Sequence, residues 1–397
     1  MSKVKLSDFI ASFISKKGVK SVFAISGGAS LHLIHSIDSN PDIKYVCTHH
    51  EQGAAMAADS FSRVSGNIGV AIATSGPGAT NLITGICCSY YDSVPLLIIT
   101  GQVSTFRMTG GTGVRQIGFQ ETPISNITKE ITKYSTTIQK ADDIKYELEK
   151  AFYLANEGRP GPVLIDIPDN LQREIIDVDK LRSFKKTLDN EKKLFPSSRE
   201  QIQKIWCEIK KSKRPVVVAG WGIHLSKTEN QFLEFVNKYQ LPVALTWGAS
   251  DLIESENNLY IGTFGTHGMR HANFAVQNAD LIISLGTRLD TKSTGSPITT
   301  FAREARKIMI DIDPAELSKF DSFGLSFDIL VQDDLKEFFK CFQSQQLNLD
   351  KEISNNTWFK TLNNWKQKFK AIDEYENKAD CSQIDPYIFF KKLSDEI

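Results

Sequence analysis

The chain has 397 residues, 41% hydrophobic and 24% charged, enough to build two or three separate cores. Lys plus Arg and Asp plus Glu number 47 each, so the formal net charge is zero, which disfavours nucleic acid as the main partner. No apolar run reaches membrane-spanning length, the first residues lack a signal-peptide core, and six scattered cysteines without a Cys-x-x-Cys pair point to reduced thiols in a cytoplasmic protein.

In chain order, Ser7 reads as the cap of a helix that places Phe9, Ile10, Phe13 and Ile14 on one face and stops at Gly18. A strand over 21–25 breaks at Ser26-Gly27-Gly28, and a short helix follows. The run Lys44-Tyr45-Val46-Cys47-Thr48 reads as a buried strand that delivers His49-His50-Glu51-Gln52-Gly53-Ala54-Ala55 to the start of the next helix. There Gly53 and the two alanines leave room for a flat group to approach the backbone; in the plainer reading, Glu51 only complements the helix dipole. Strands over 68–73, 95–99 and 162–166 and helices over 78–89 and 142–156 complete a first unit. Continuous apolar strands alternating with helices predict a parallel sheet covered on both faces. Ligands bind such sheets at the carboxyl ends of the strands, so the loops at 26–28, 48–51 and 74–78 are expected along one edge.

Residues 179–198 are polar and lysine-rich and read as a linker between a domain over 1–178 and a second α/β unit over 199–342. The second unit opens with a helix over 199–211 and carries strands over 215–219, 242–245, 281–285 and 307–310. A further linker is expected over 343–384, including the tryptophan- and lysine-rich run from Trp358 to Lys370. Residues 385–397 have the apolar spacing of a helix.

The turn Thr74-Ser75-Gly76-Pro77-Gly78-Ala79-Thr80-Asn81 joins a strand to a helix, where free amides hold an anion or ring nitrogen, or simply make a tight turn. Asn81 stands where a dinucleotide fingerprint requires its third glycine, and Leu225 does so after Gly220-Trp221-Gly222, so a nicotinamide-binding domain is disfavoured. In the second unit, Gly262–Gly268 adds one imidazole, His267, and Gly286-Thr287-Arg288 puts a guanidinium at a strand end, suited to a phosphate. Asp311 and Asp313 follow another strand, placed either for ribose hydroxyls or as caps of the helix beginning at Pro314. The three strand ends together read as a nucleotide crevice; no metal-ligand cluster is visible.

With these stretches assembled, the chain resembles the acetolactate synthase branch of the thiamine-diphosphate enzymes. The match runs in family order through His50-Glu51-Gln52-Gly53-Ala54-Ala55, Thr74–Asn81, Tyr91-Asp92-Ser93-Val94-Pro95, Gly101-Gln102-Val103, Phe119-Gln120-Glu121, Gly158-Arg159-Pro160-Gly161-Pro162 and Asp311-Ile312-Asp313-Pro314-Ala315-Glu316. The resemblance implies two doubly wound α/β domains, a pyrimidine-side domain and a central FAD-type domain. It also implies a 2-ketoacid substrate, thiamine diphosphate with Mg2+, optional FAD, and a homodimer or homotetramer. Glu51 is then the carboxyl that bonds N1′ of the aminopyrimidine and sets the tautomer that activates the thiazolium carbon. Gly27, Gly28, Gly76, Gly78 and Asn81 would border the cofactor, and Phe119 and Gln120 would face the reacting carbon. Arg159, Gly220, Gly222, His267, Gly286, Arg288, Asp311 and Asp313 match positions on the flavin side.

Three departures accompany the likeness. The family's diphosphate- and Mg2+-binding Gly-Asp-Gly motif is absent, so its third domain is expected to be missing from this chain beyond an opening helix at 385–397, with another polypeptide or the rest of a gene supplying the metal ligands. The segment 104–118 is longer than in the biosynthetic synthases and carries Arg107, Arg115 and Gln116. Asp169 and Thr291-Lys292 replace residues tied to substrate handling. The expected activity is therefore 2-ketoacid decarboxylation and carboligation, with acetolactate as the leading product. Acyl transfer to a sugar-nucleotide or other carbonyl acceptor, or a non-catalytic flavin- or nucleotide-binding role, are the alternatives.

Overall fold

The computed structural model describes residues 3–186, 197–345, 347, 357–369 and 383–396. The chain divides into two compact units, Met1–Asn190 and Glu191–Ile397.

The first unit carries β1 (Lys3–Lys5), β2 (Ser21–Ala24), β3 (Lys44–Cys47), β4 (Gly69–Ala73), β5 (Leu96–Gln102), β6 (Tyr134–Thr137), β7 (Val163–Pro168) and β8 (Ile175–Asp177). Six of them form a parallel sheet in the order β3-β2-β4-β5-β7-β6, and β1 pairs antiparallel with β8. Successive strand residues face opposite sides. Val70, Ile72, Leu97 and Ile99 accordingly join one core, with Ile10 and Ile14 of the helix Leu6–Lys16. Ala71, Ala73, Leu96 and Ile98 join the other, with Ala54, Ala55 and Ala58 of the helix Glu51–Ser65. Two buried faces require the uninterrupted apolar runs seen in the sequence.

The helix Glu51–Ser65 lies unusually close to its neighbours. A Cβ on Gly69 would stand 2.0 Å from the Ala58 carbonyl oxygen, and one on Gly85 would stand 2.4 Å from Ala55 Cβ. Ala54 and Ala55 are thus completely buried packing residues, which corrects the expectation that they leave room for a ligand. Gly53 is exposed with open space around it.

Other local expectations also change. Ser7 is not the cap; Lys5 is, and Ser7 is buried inside the first helix, accepting from Ser36 Oγ at 2.8 Å. β3 is an edge strand with its outer residues exposed, not a buried one. The helix expected over 78–89 is two pieces, Pro77–Asn81 and Ile83–Asp92, meeting at Leu82.

The second unit repeats the plan. β9 (Pro215–Ala219), β10 (Val243–Leu245), β11 (Tyr260–Thr263), β12 (Leu281–Leu285), β13 (Arg306–Asp311) and β14 (Ile329–Gln332) form a parallel sheet in the order β11-β10-β9-β12-β13-β14. Val217, Leu245, Ile283 and Ile308 face one core; Val216, Val218, Ile282 and Met309 face the other. The helix Arg199–Lys211 begins with a reciprocal cap between Ser198 and Gln201. Within the span read as a second linker, Thr357–Lys368 is a helix whose Trp358, Phe359 and Leu362 are buried against this unit. Most of the rest of that span lies outside the described residues. The expected terminal helix is present at Pro386–Glu396 and has no buried residue.

Candidate functional site

In the first sheet the chain passes from β2 outward to β3 and then returns to β4 on the other side of β2, so the order reverses between β2 and β4. Crevices form beyond the carboxyl ends of strands at such reversals. The turns leaving β2 and β4 meet here. Thr74 Oγ1 accepts from the Ala29 amide at 3.2 Å, and a Cβ on Gly27 would lie 2.5 Å from Thr74 Cβ. Gly27 therefore lets the two turns close on each other, whereas Gly28 faces open space.

Glu51 arrives from the adjacent strand end as the first residue of its helix, behind the cap His50, whose Nδ1 accepts from the Gln52 amide at 3.2 Å. Asn81 Nδ2 donates to Glu51 Oε2 at 2.9 Å, and Oε1 lies 3.2 Å from where a Cβ on Gly78 would stand. Oε1 accepts no hydrogen bond among the described residues, so one carboxylate oxygen is fixed and the other is available. Gly76, at φ 62°, packs so tightly on Gln120 that a Cβ would come within 2.7 Å of Gln120 Cβ. Gln120 itself has φ 63°, a left-handed strain held by this contact. Phe119 is 84% exposed and touches no core, a large apolar surface left open beside the carboxylate's turn.

The sequence candidates Gly27, Gly28, Glu51, Gly76, Gly78, Asn81, Phe119 and Gln120 are therefore gathered at one sheet edge. Arg159 is not among them. It precedes β7, and its Nε donates to Ser93 Oγ at 2.7 Å ahead of β5, at the opposite, amino edge. The available acid oxygen, the open backbone at Gly28 and the close turns suit a flat heterocycle carrying a ring nitrogen. That is the chemistry of an aminopyrimidine, and the residues fit it.

Residues the sequence reading passed over support this edge from below. Asp166, fully buried at the end of an apolar run, accepts from Thr100 Oγ1 at 2.7 Å, Gln102 Nε2 at 2.9 Å and Thr137 Oγ1 at 3.2 Å. Gln102 Nε2 also donates to the Thr122 carbonyl at 2.7 Å, tying the segment after Gln120 to the sheet. A lone acidic residue within Val163–Pro168 was the only signal. Burial pushes the Asp166 carboxyl up from 3.8 to about 6, against the opposing pull of its three donors. Below about pH 4 the group is protonated in both the folded and unfolded chain. As pH rises through about 6 the unfolded chain holds fewer protons than the folded one, so stability falls, by on the order of 2–3 kcal/mol, and then levels off. We expect Asp166→Asn to flatten the urea-denaturation stability between about pH 4 and 6 relative to the parent. An identical pH profile in the variant would show that Asp166 does not titrate there.

Gly101 binds the same layers together: a Cβ there would stand 2.0 Å from the Ala29 carbonyl oxygen. Gly101→Ala should destabilise the first unit by about 1–3 kcal/mol, because backbone rather than a flexible side chain must yield. A urea midpoint unchanged from the parent would contradict that packing.

In the second unit the order reverses between β9 and β12. The Gly222 amide donates to the Gly286 carbonyl at 2.9 Å, and a Cβ on Gly220 or Gly222 would come within 2.5 Å or 2.7 Å of the Gly286 backbone. These glycines serve close approach of the two strand-end turns. Gly262 is inside β11 rather than in a loop, and Asn273 closes the following turn by bonding both the amide and the carbonyl of Gly265. His267 is exposed, its ring 5.3 Å from that of Trp247. Asp313 Oδ1 accepts from the Ala315 amide at 2.9 Å, capping the helix Pro314–Ser318, and Asp311 Oδ1 accepts from the Asp313 amide at 2.9 Å. Arg288 stands at the same carboxyl edge, its carbonyl accepting from Lys319 Nζ.

The profile described as "Thiamine pyrophosphate enzyme, N-terminal TPP binding domain" matches residues 4–125, and that for "Thiamine pyrophosphate enzyme, central domain" matches residues 202–340. Acetolactate synthase large subunit of Lactococcus lactis subsp. lactis is 37% identical, over 95% of this chain and 63% of that protein. The large subunit of Cyanidium caldarium is 35% identical over 98% of this chain and 68% of that protein. The chloroplastic acetolactate synthase of Arabidopsis thaliana is 36% identical over 92% of this chain and 53% of that protein. The chain thus spans about half to two thirds of the length of these curated relatives.

Proposed function

The chain belongs to the thiamine pyrophosphate enzyme family, and from that premise we propose that it forms the aminopyrimidine side of a site that decarboxylates a 2-ketoacid and joins the remaining acyl unit to a carbonyl acceptor. The names of the relatives favour pyruvate as donor and acetolactate as product. In the net reaction the bond between C1 and C2 of the ketoacid breaks and releases carbon dioxide. C2 forms a bond to the carbonyl carbon of the acceptor, and the acceptor oxygen gains a proton. When bound, thiamine diphosphate supplies the cationic ring that takes up the electron pair freed by decarboxylation.

The observation that carries this reading is the Glu51 carboxyl, with Oε2 held by Asn81 and Oε1 open, beside turns closed by glycine. Glu51 would hold a proton at the N1′ atom of the aminopyrimidine. Gly28 would let the ring reach the backbone, Gly27, Gly76 and Gly78 would let the turns around it close, and the strained Gln120 and exposed Phe119 would border the ketoacid. Under this reading the diphosphate and Mg2+ are held outside the two matched domains, in the same polypeptide or a partner. Assembly would be a homodimer or homotetramer in the cytoplasm. FAD would lie along the second sheet's carboxyl edge with Arg288 at its phosphates and in a structural role.

Given thiamine diphosphate, Mg2+ and a polypeptide carrying the diphosphate side, the protein should convert pyruvate to acetolactate, read as acetoin after acid treatment. Release of neither carbon dioxide nor a new carbon–carbon product would overturn the assignment.

A further inference from the structure

The two residues that would border the ketoacid stand on a turn with little packing behind it. The Glu121 amide donates to the Gly118 carbonyl at 3.0 Å, which closes a turn whose central residues are Phe119 and Gln120. A left-handed second central residue is ordinarily glycine or asparagine; here Gln120 holds that place at φ 63°. None of the residues 119–123 is buried, so beyond the contact of Gln120 with Gly76 the turn is placed by hydrogen bonds.

Those bonds come from two sides. Glu121 Oε1 accepts from the Thr109 amide at 2.6 Å and Oε2 from the Ile117 amide at 3.0 Å, both donors belonging to the largely exposed segment 105–117. From the sheet, Gln102 Nε2 donates to the Thr122 carbonyl at 2.7 Å. Gln102 is the last residue of β5 and is buried. Among the described residues, its bond is the hydrogen bond that ties 119–123 to a strand.

The Gln102 carboxamide has no spare capacity. Its Nε2 also donates to Asp166 Oδ2 at 2.9 Å, and its Oε1 accepts from the Val103 amide at 2.9 Å. Turned over, it would set an oxygen against the Asp166 carboxylate and a donor against the Val103 amide, so one orientation is selected, and that orientation aims an N–H at Thr122. Asp166 is itself placed by strand register. Thr100 of β5 and Thr137 of β6 stand beside it across the sheet and donate to it at 2.7 Å and 3.2 Å. Three neighbouring strands, β5, β7 and β6, thus act through one amide on the turn.

We propose that Gln102 is a positioning residue: by holding the Thr122 carbonyl it sets where Phe119 and Gln120 stand against the ketoacid, and Asp166 fixes its aim. This rests on the carboligase reading above and adds the group that places the substrate side of that site. Glu51 arrives on a different turn, so activation of the cofactor and placement of the ketoacid are governed by separate parts of the fold.

The test uses the whole chain, isotope-labelled, together with the assembled enzyme. In Gln102→Leu the backbone amides of Phe119, Gln120 and Glu121 should become more mobile in the unliganded chain, read by nitrogen-15 relaxation. In the assembled enzyme kcat/KM for pyruvate should fall by about 10–100-fold, the scale of a misplacement of about 1 Å, while deuterium exchange at the thiazolium C2 keeps the parent's rate. Because that variant also deprives Asp166 of a donor, the paired exchange Gln102→Glu with Asp166→Asn is the second variant. It restores an amide–carboxylate pair between β5 and β7 but offers Thr122 no donor, so the urea midpoint should recover while the turn stays mobile and kcat/KM stays low. Turn amides as rigid as the parent's, an unchanged kcat/KM, or full recovery of kcat/KM in the paired exchange would overturn the proposal. So would C2 exchange falling in step with kcat/KM, or failure of both variants to fold, since either assigns Gln102 to stability alone. A parent that releases no carbon dioxide from pyruvate, with the turn loosened in both variants, would instead strike the carboligase reading and leave the hold of Gln102 on the turn standing.

Discussion

Replacing Glu51 with Gln should lower turnover by about 10²–10⁴-fold, the range by which a positioned acid–base group contributes, while the urea midpoint stays close to the parent. The amide oxygen of the new side chain can still accept from Asn81, so the 2.9 Å contact and the turn around it persist. What disappears is the carboxyl oxygen that could take up or give a proton at the crevice. The direct measurement is deuterium exchange at the thiazolium C2 of thiamine diphosphate in the assembled enzyme, which reports activation of the cofactor before any ketoacid reacts. Parent-like exchange and turnover in the variant would remove Glu51 from the chemistry and reduce it to a helix-terminal charge.

Trp358→Ala should destabilise the second unit by about 3–5 kcal/mol, the usual cost of deleting a large buried aromatic side chain. Trp358 is 3% exposed, its Nε1 donates to the Pro215 carbonyl at 3.2 Å at the start of β9, and its ring meets Trp365 edge-on at 5.8 Å. The truncation opens a cavity and leaves a buried carbonyl without its donor, two penalties in the same direction. Were the segment the exposed linker suggested by its lysines, the change would fall within about 0.5 kcal/mol. Urea denaturation followed by tryptophan-independent circular dichroism separates the two outcomes.

That contrast shows which parts of the fold were legible. The central strands β4, β5, β7, β9, β12 and β13 announce themselves because both of their faces are buried and their residues are mostly apolar, with Thr100, Asp166, Ser284 and Lys307 as buried polar exceptions inside them. The edges do not. β6 reads Tyr-Ser-Thr-Thr, β11 contains a glycine, and β14 is half exposed; none was foreseen, and β3, the remaining edge, was taken for a buried strand. A strand paired on one side only carries too little apolar pattern to separate it from a loop. The helix Thr357–Lys368 was hidden for a similar reason, since Trp358, Phe359 and Leu362 make a narrow apolar stripe among lysines and asparagines.

At the site, the place of Glu51 between a strand and a helix was equally that of a helix-dipole charge, and the resemblance rather than the position alone singled out this carboxyl and the glycine turns as candidates. The roles of Thr74, Gln102 and Asp166 were not legible, because each acts on partners far along the chain, and the bonds of Thr74 and Gln102 to a backbone amide and carbonyl leave no mark on the partner's identity. The same holds for Glu121: its two amide donors could have been any residues. Gly76 was foreseen as bordering the site, but its contact with Gln120 is a matter of shape, invisible without coordinates.

The close seat of the helix Glu51–Ser65 makes that helix mechanically stiff. Gly69 meets the Ala58 backbone and Gly85 the Ala55 methyl directly, so no flexible side chain is available to bend and absorb a displacement. A methyl added at Gly69 or Gly85 should therefore push on the helix whose first residue is Glu51. On the proposed reading, these small residues would help set where the Glu51 oxygens stand, although they lie away from the crevice.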